Sequence, residues 1–145
     1  MRIAIGSDHA GFKMKDQIGD YLKKKKIVFK DFGTFSEKSC DYPDYAFLVA
    51  AVVAAGKFDR GILICGSGVG MAVAANRVKG IRAVNVNNLY TARQSRKHGN
   101  ANVLCLAGKK ISRKKALKIL EVWLNTPFSE GERHQRRIEK LDRLR

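Results

Sequence analysis

The chain has 145 residues, 45% of them hydrophobic, with 29 lysines and arginines against 13 acids and a formal net charge of +16. That length supports one substantial core, and the apolar content excludes general disorder. No run of about 18 uncharged apolar residues occurs, which excludes a helical membrane span. The opening "MRIAIGSDHAG" enters strand-like sequence with no signal-peptide pattern, so the expected location is the cytoplasm.

In chain order, residues 2–6 (RIAIG) read as an apolar strand. Residues 10–26 follow with helical spacing at Phe12, Ile18, Tyr21 and Leu22. Residues 27–33 (IVFKDFG) form a second strand candidate. Residues 41–58 open with acid and proline, as helices do, and reach a plausible stop at Gly56. The run 61–65 (GILIC) is apolar throughout, as a strand covered on both faces should be. An alanine-rich helix over about 68–78, strand 81–86, helix 89–98, strand 103–107 and helix 112–125 complete the alternation. Pro127 marks a break, and the remaining sequence reads as a terminal helix with Ile138 and Leu141 as its apolar seam. Five strands alternating with helices predict a parallel sheet in a Rossmann-like three-layer α/β/α sandwich, with a C-terminal helical tail. No repeat, linker or second domain is visible, so residues 1–145 are expected to form a single domain.

The positive charge gathers in "KKKK" at 23–26 and "KKISRKKALK" at 109–118. Both lie at or within helix-like segments, where a solvated face is the simplest reading. No aromatics interleave to make a single-strand platform, so no nucleic acid and no membrane is expected as partner. A basic nucleic-acid binder remains a remote alternative. Cys40, Cys65 and Cys105 are odd in number without C-x-x-C, and His9, His98 and His134 lie far apart. Neither a disulfide framework nor a metal site is expected.

Gly66, Gly68 and Gly70 follow a buried strand and lead into a helix, a setting in which backbone N–H groups bind anions. The spacing is G-x-G-x-G rather than the dinucleotide G-x-G-x-x-G, and no G-K-[ST] of a Walker loop is present. What remains is an anion cradle with a thiol, Cys65, at its lip. In open parallel sheets ligands bind beyond the C-terminal strand ends. Asp8 and His9, then Cys65 and Ser67, then Asn87 and Asn88 fall at such ends, and His98 closes the next helix. The pattern predicts that His9, His98 and Cys65 share one crevice. Cys65 beside a helix start suits a nucleophile or a proton-transferring base, and it also suits a buried structural cysteine. The residues alone leave that choice open. Cys105, mid-strand, reads as structural, and Cys40 as an incidental loop residue.

The ordered blocks "GSDHAGFKMK", "DFGT…DYPDYA", "GILICGSGVGMAVAANRVKGIRA", "HGNANVL" and "TPFSEGERHQRR" closely resemble the ribose-5-phosphate isomerase B family, which includes galactose-6-phosphate isomerase subunits. The resemblance implies an aldose–ketose isomerase of pentose phosphate metabolism that works without metal or cofactor. It implies Cys65 as the base that moves a proton between C1 and C2. Where the family's main variant has a glutamate, this chain has Met71. It further implies Ser67 as the group handling protons on the substrate oxygens, and His98, with Asp8, as the ring-opening group. Tyr42 would line the site, Gly66, Gly68 and Gly70 would cradle the enediolate, and His9, Lys109, Arg133 and Arg137 would bind phosphate across a subunit interface. His134 is a further candidate there. A homodimer or tetramer with shared sites follows, with the tail 126–145 packing on the partner. Three departures bear on the substrate: Gly99 stands where an asparagine is common, Lys109 where arginine is usual, and Asn87 and Asn88 differ from commoner polar pairs. Allose 6-phosphate and galactose 6-phosphate therefore stay open beside ribose 5-phosphate.

Overall fold

The computed structural model describes residues 1–143; Leu144 and Arg145, the end of the expected tail helix, lie outside the described residues. Among the described residues there are five strands and six helices. They are β1 (Arg2–Ser7), α1 (Phe12–Lys24), β2 (Val28–Asp31), α2 (Tyr42–Ala54), β3 (Arg60–Cys65), α3 (Val69–Ala75), β4 (Ala83–Asn85), α4 (Leu89–Lys97), β5 (Val103–Ala107), α5 (Arg113–Asn125) and α6 (Glu132–Arg143). The strands form one parallel sheet in the order β2-β1-β3-β5-β4. The fold is thus the α/β sandwich read from the alternation.

Strand residues alternate between two cores, as a period of two requires. Ile3, Ile5, Ile62, Ile64, Leu104 and Leu106 face α1, α4 and α5, where Trp123 is fully buried. Ala4, Leu63, Cys65, Val103 and Cys105 face α2 and α3. Strand β4 is shorter than the predicted 81–86 because it lies at the sheet edge. There the Arg82 N–H is taken by Asn102 Oδ1 at 2.8 Å rather than by a ladder.

This topology makes a switch point. After β1 the chain leaves to the α1 face, and after the neighbouring β3 it leaves to the α2/α3 face. A crevice opens where adjacent connections diverge. The turn into α1 passes so close to β3 that a side chain at Gly11 would collide with the Ile64 carbonyl.

Helix α2 departs from the usual amphipathic pattern. After Asp44 its sequence (YAFLVAAVVA) carries no charge. Ala46, Val49, Ala50 and Val53 pack on the sheet, yet Phe47 and Leu48 on the outer side are 43% and 50% exposed. On the adjoining α3, Val69 and Val73 are 55% and 61% exposed. Such a face is more apolar than the solvent side of a surface helix usually is.

Candidate active site

At the C-terminal strand ends, three loops meet around the switch point. The Asp8 N–H donates to the Ile64 carbonyl at 3.2 Å, the Gly108 N–H to the Cys65 carbonyl at 2.8 Å, and the Lys109 N–H to the Gly66 carbonyl at 3.2 Å. These bonds bring Asp8, His9, Cys65, Ser67 and the three glycines into one cluster, as the strand ends predict, and add Lys109 to it. Tyr42, at the start of α2, stands over Gly70, whose missing Cβ would lie 2.9 Å from its ring.

Cys65 is almost fully buried, and its Sγ accepts the Gly68 N–H at 3.1 Å. That contact is possible because Gly68 adopts φ +77°, a left-handed conformation that glycine alone enters cheaply. Asn85 at the end of β4 supports the same turn, donating through Nδ2 to the Ser67 carbonyl at 3.2 Å. The N–H of Val69 donates to Ser67 Oγ at 3.3 Å. Two N–H groups of the expected cradle are therefore engaged within the loop rather than directed outward. Met71 is fully buried behind it. Cys105 lies one strand away, wholly enclosed; burial first, and then the neighbouring Cys65, push its thiol far up.

Asp8 is buried, and Oδ1 accepts the Gly11 N–H at 3.0 Å, which starts α1. His9 has its Nδ1 fixed as an acceptor by the Cys40 N–H at 3.2 Å. Its Nε2 is then the protonated nitrogen and a donor for an anion. Cys40 is thus more than a loop filler: its N–H carries that role, with its Sγ 3.9 Å from the same nitrogen. Ahead of the Cys40 segment, Lys15, a buried residue of α1, bonds half-buried Asp31, whose other oxygen accepts the Gly33 N–H at 2.8 Å. Gly33 and Thr34 in turn bracket Ser7 through two backbone bonds of 2.6 and 2.7 Å. Lys15 escapes a sequence reading because nothing in "GFKMK" distinguishes a buried lysine from an exposed one.

His98 corrects the expected crevice. Helix α4 starts beside the C-terminal strand ends and runs back, so its last turn lies at the N-terminal end of the sheet. Six strand residues at about 3.3 Å each separate the two ends. Within one chain, His98 and Cys65 are therefore not brought together. His98 instead meets the tail. Buried Arg96 donates to Asn100 Oδ1 at 2.8 Å, to the Ala101 carbonyl at 2.6 Å and to the Thr126 carbonyl at 3.3 Å, and the Ser129 N–H reaches the Lys97 carbonyl at 3.1 Å. Burial, reinforced by Arg60 and Arg82, lowers the Arg96 guanidinium to about 10. So tethered, α6 lays His134 against His98, with ring centroids 4.2 Å apart and tilted by 54°. Arg133 and Arg137 lie on the same helix. Desolvation first, and then the electrostatic influence of neighbouring His134, Lys97, Arg133 and Arg137, hold His98 below its ordinary 6.5. Farther along, Asp142 pairs with Arg82 at 2.9 Å.

Of the departures from the family pattern, Asn88 has a local explanation: Oδ1 caps α4 by accepting the Thr91 N–H at 2.8 Å. Among the described residues, no three His, Cys, Asp or Glu side chains gather as metal ligands would, and no helix is long and apolar enough to cross a membrane.

The ribose/galactose isomerase family matches residues 3–141. The ribose-5-phosphate isomerase B of Escherichia coli is 44% identical over 140 residues, covering 97% of this chain and 93% of that protein. A solved structure of the Clostridium thermocellum ribose-5-phosphate isomerase B superposes with a TM-score of 0.96 at 46% identity, covering 98% and 95% of the two chains. The Mycoplasma genitalium enzyme, crystallised with bound ribulose 5-phosphate, gives 0.93 at 45% identity over 98% and 94%.

Proposed function

The chain belongs to the ribose/galactose isomerase family and is a sugar-phosphate isomerase; we propose that it interconverts ribose 5-phosphate and ribulose 5-phosphate through an enediolate, without a cofactor, in sites shared by two copies of the chain. The observation that carries this reading is the separation of its chemistry. Asp8, His9, Cys65, Ser67 and Lys109 stand at one end of the sheet, and His98, Arg133 and Arg137 at the other.

A second copy supplies what one chain lacks. The exposed apolar face of α2 and α3 adjoins the Cys65 loop, and α6 runs from His98 toward Arg82 at the open sheet edge. A two-fold axis across that face, perpendicular to the strands, sets the C-terminal strand ends of one copy beside the N-terminal ends of the other. Each dimer then holds two complete sites. The far end of α6 also extends toward the partner in this arrangement.

The chemistry follows from the groups so assembled. His98 takes the proton of the anomeric hydroxyl and returns it to the ring oxygen, which opens the sugar. The sulfur of Cys65 removes the hydrogen on C2 of the aldehyde, and the electron pair moves into the enediolate. Returning that proton to C1 completes the ketose, while Ser67 moves the remaining proton between O1 and O2. With the Gly68 and Val69 N–H groups engaged inside the loop, the remaining cradle donors at Gly66 and Gly70 would favour the transition state over the substrate, each by about 3 kcal/mol. Phosphate is held by Arg133 and Arg137, one helical turn apart, with the Nε2–H of His9 and the charge of Lys109.

Substrate choice is tested by kcat/KM measured side by side on ribose, allose and galactose phosphates. Ribose 5-phosphate is expected to lead by at least about tenfold, the discrimination that one misplaced hydroxymethyl group can supply. Faster turnover of a six-carbon sugar overturns the pentose assignment. Sharing is tested by mixing inactive Cys65→Ala with inactive Arg137→Ala protein. Subunit exchange should rebuild one intact site in each mixed dimer, whereas no recovery after verified exchange means that each chain closes its own site.

A further inference from the structure

We infer that His134 is a positioning residue for His98: oriented by Arg133, its ring packs at a tilt against the His98 imidazole and holds that imidazole neutral for its proton transfers. The role rests on the isomerase reading above. The first observation is burial. His134 is the one residue of α6 classed as buried, while His98 is exposed and His9 half-buried. The predicted apolar seam of α6, Ile138 and Leu141, continues one turn earlier with an imidazole, and Leu141 itself is 57% exposed. A polar ring thus occupies the best-packed position of a helix that had aliphatic side chains to offer.

The second observation is how the ring is held. Arg133 Nε donates to His134 Nε2 at 2.9 Å. An accepting Nε2 fixes His134 as the neutral tautomer with its proton on Nδ1. The bond uses only the Nε edge of the guanidinium, leaving both terminal nitrogens of Arg133 for a phosphate. Arg133 therefore links phosphate binding to the orientation of the ring beside His98.

The third is the surroundings of His98. From α6 it is faced by His134, Arg133 and Arg137, and from α4 by Lys97. Lys97, Arg133 and Arg137 are cationic, and the His134 ring packs against the imidazole on one side. Both effects disfavour imidazolium, in keeping with the lowered pKa of His98. A neutral imidazole accepts the anomeric proton; an imidazolium does not.

Histidine NMR titration of the intact protein tests this without substrate, so its outcome is independent of the isomerase reading. In the wild type, His134 should show a proton on Nδ1 at neutral pH, and His98 should titrate below the ordinary value. In His134→Ala the His98 titration should move up, whereas His134→Phe, which keeps a ring in place, should hold it down. On cyclic aldose phosphate, kcat/KM of His134→Ala should fall by about tenfold at pH 6 and by less at pH 8, as protonated His98 accumulates. An unchanged His98 titration in His134→Ala, or an ordinary value in His134→Phe, overturns the proposal. A proton on Nε2 of His134 in the wild type does the same, and that measurement needs no variant to fold.

Discussion

Cys65→Ala should lower kcat by about 10²–10⁴-fold, the range for loss of a positioned proton carrier, with KM little changed because the sulfur binds no fixed part of the sugar. The size of the effect follows from what surrounds the thiol. Met71, at the position where the family's main variant carries a glutamate, is fully buried and cannot ionise. Cys105 is enclosed one strand away with its thiol pushed far up, so it stays protonated and cannot substitute. Folding should survive, since the change removes one atom at the lip of a loop rather than from the centre of either core. The variant should also lose exchange of the sugar's C1 hydrogen with deuterated water, because that exchange needs the same base. Turnover within about tenfold of wild type would mean that another group moves the proton.

His98→Asn should divide the reaction into its parts. Ribose 5-phosphate is largely a closed ring, whereas ribulose 5-phosphate has its C5 oxygen esterified and cannot close a furanose. Loss of the ring-opening group should cut conversion of the aldose by about 10²–10⁴-fold. Exchange of the ketose C1 hydrogen should persist to within about tenfold, since it requires only Cys65 and the enediolate. Parallel loss of both activities would show that His98 serves the proton transfer at carbon instead. The pH dependence has a definite sign. With its pKa depressed by desolvation and neighbouring cations, His98 stays neutral to lower pH than an ordinary histidine. The acid limb of kcat/KM on the aldose should therefore lie below 6.5, the ordinary histidine value.

Some of this organisation was legible in the residues. Uninterrupted apolar runs such as "GILIC" and "VLCLA" mark central parallel strands, because a strand covered on both faces has no polar side. Strand ends in an α/β alternation point the same way, so Asp8, His9, Cys65 and Ser67 could be grouped from the sequence, whereas Lys109 entered only through the family resemblance. The same logic failed for His98. A helix returning across a sheet ends at the opposite edge, and strand-end bookkeeping does not carry over to helix ends. The contributions of Cys40, Lys15 and Asn85 are invisible in the sequence for another reason. Their roles lie in a backbone N–H, an ion pair of a buried lysine and a bond to the Ser67 carbonyl, each made to a segment distant in sequence.

The amino-acid order alone therefore determined the layers, the glycine turn, the thiol at its lip and the family, since these depend on local pattern and on residues close together in the chain. Only the tertiary structure decided which groups stand together: that His98 and the tail arginines lie a full strand length from Cys65, and that α2 and α3 leave an apolar face uncovered. The reason is physical. Periodicity reports which side of an element is buried, but the direction in which each element crosses the sheet, and hence the end at which its last side chain emerges, is set by packing between segments far apart in sequence.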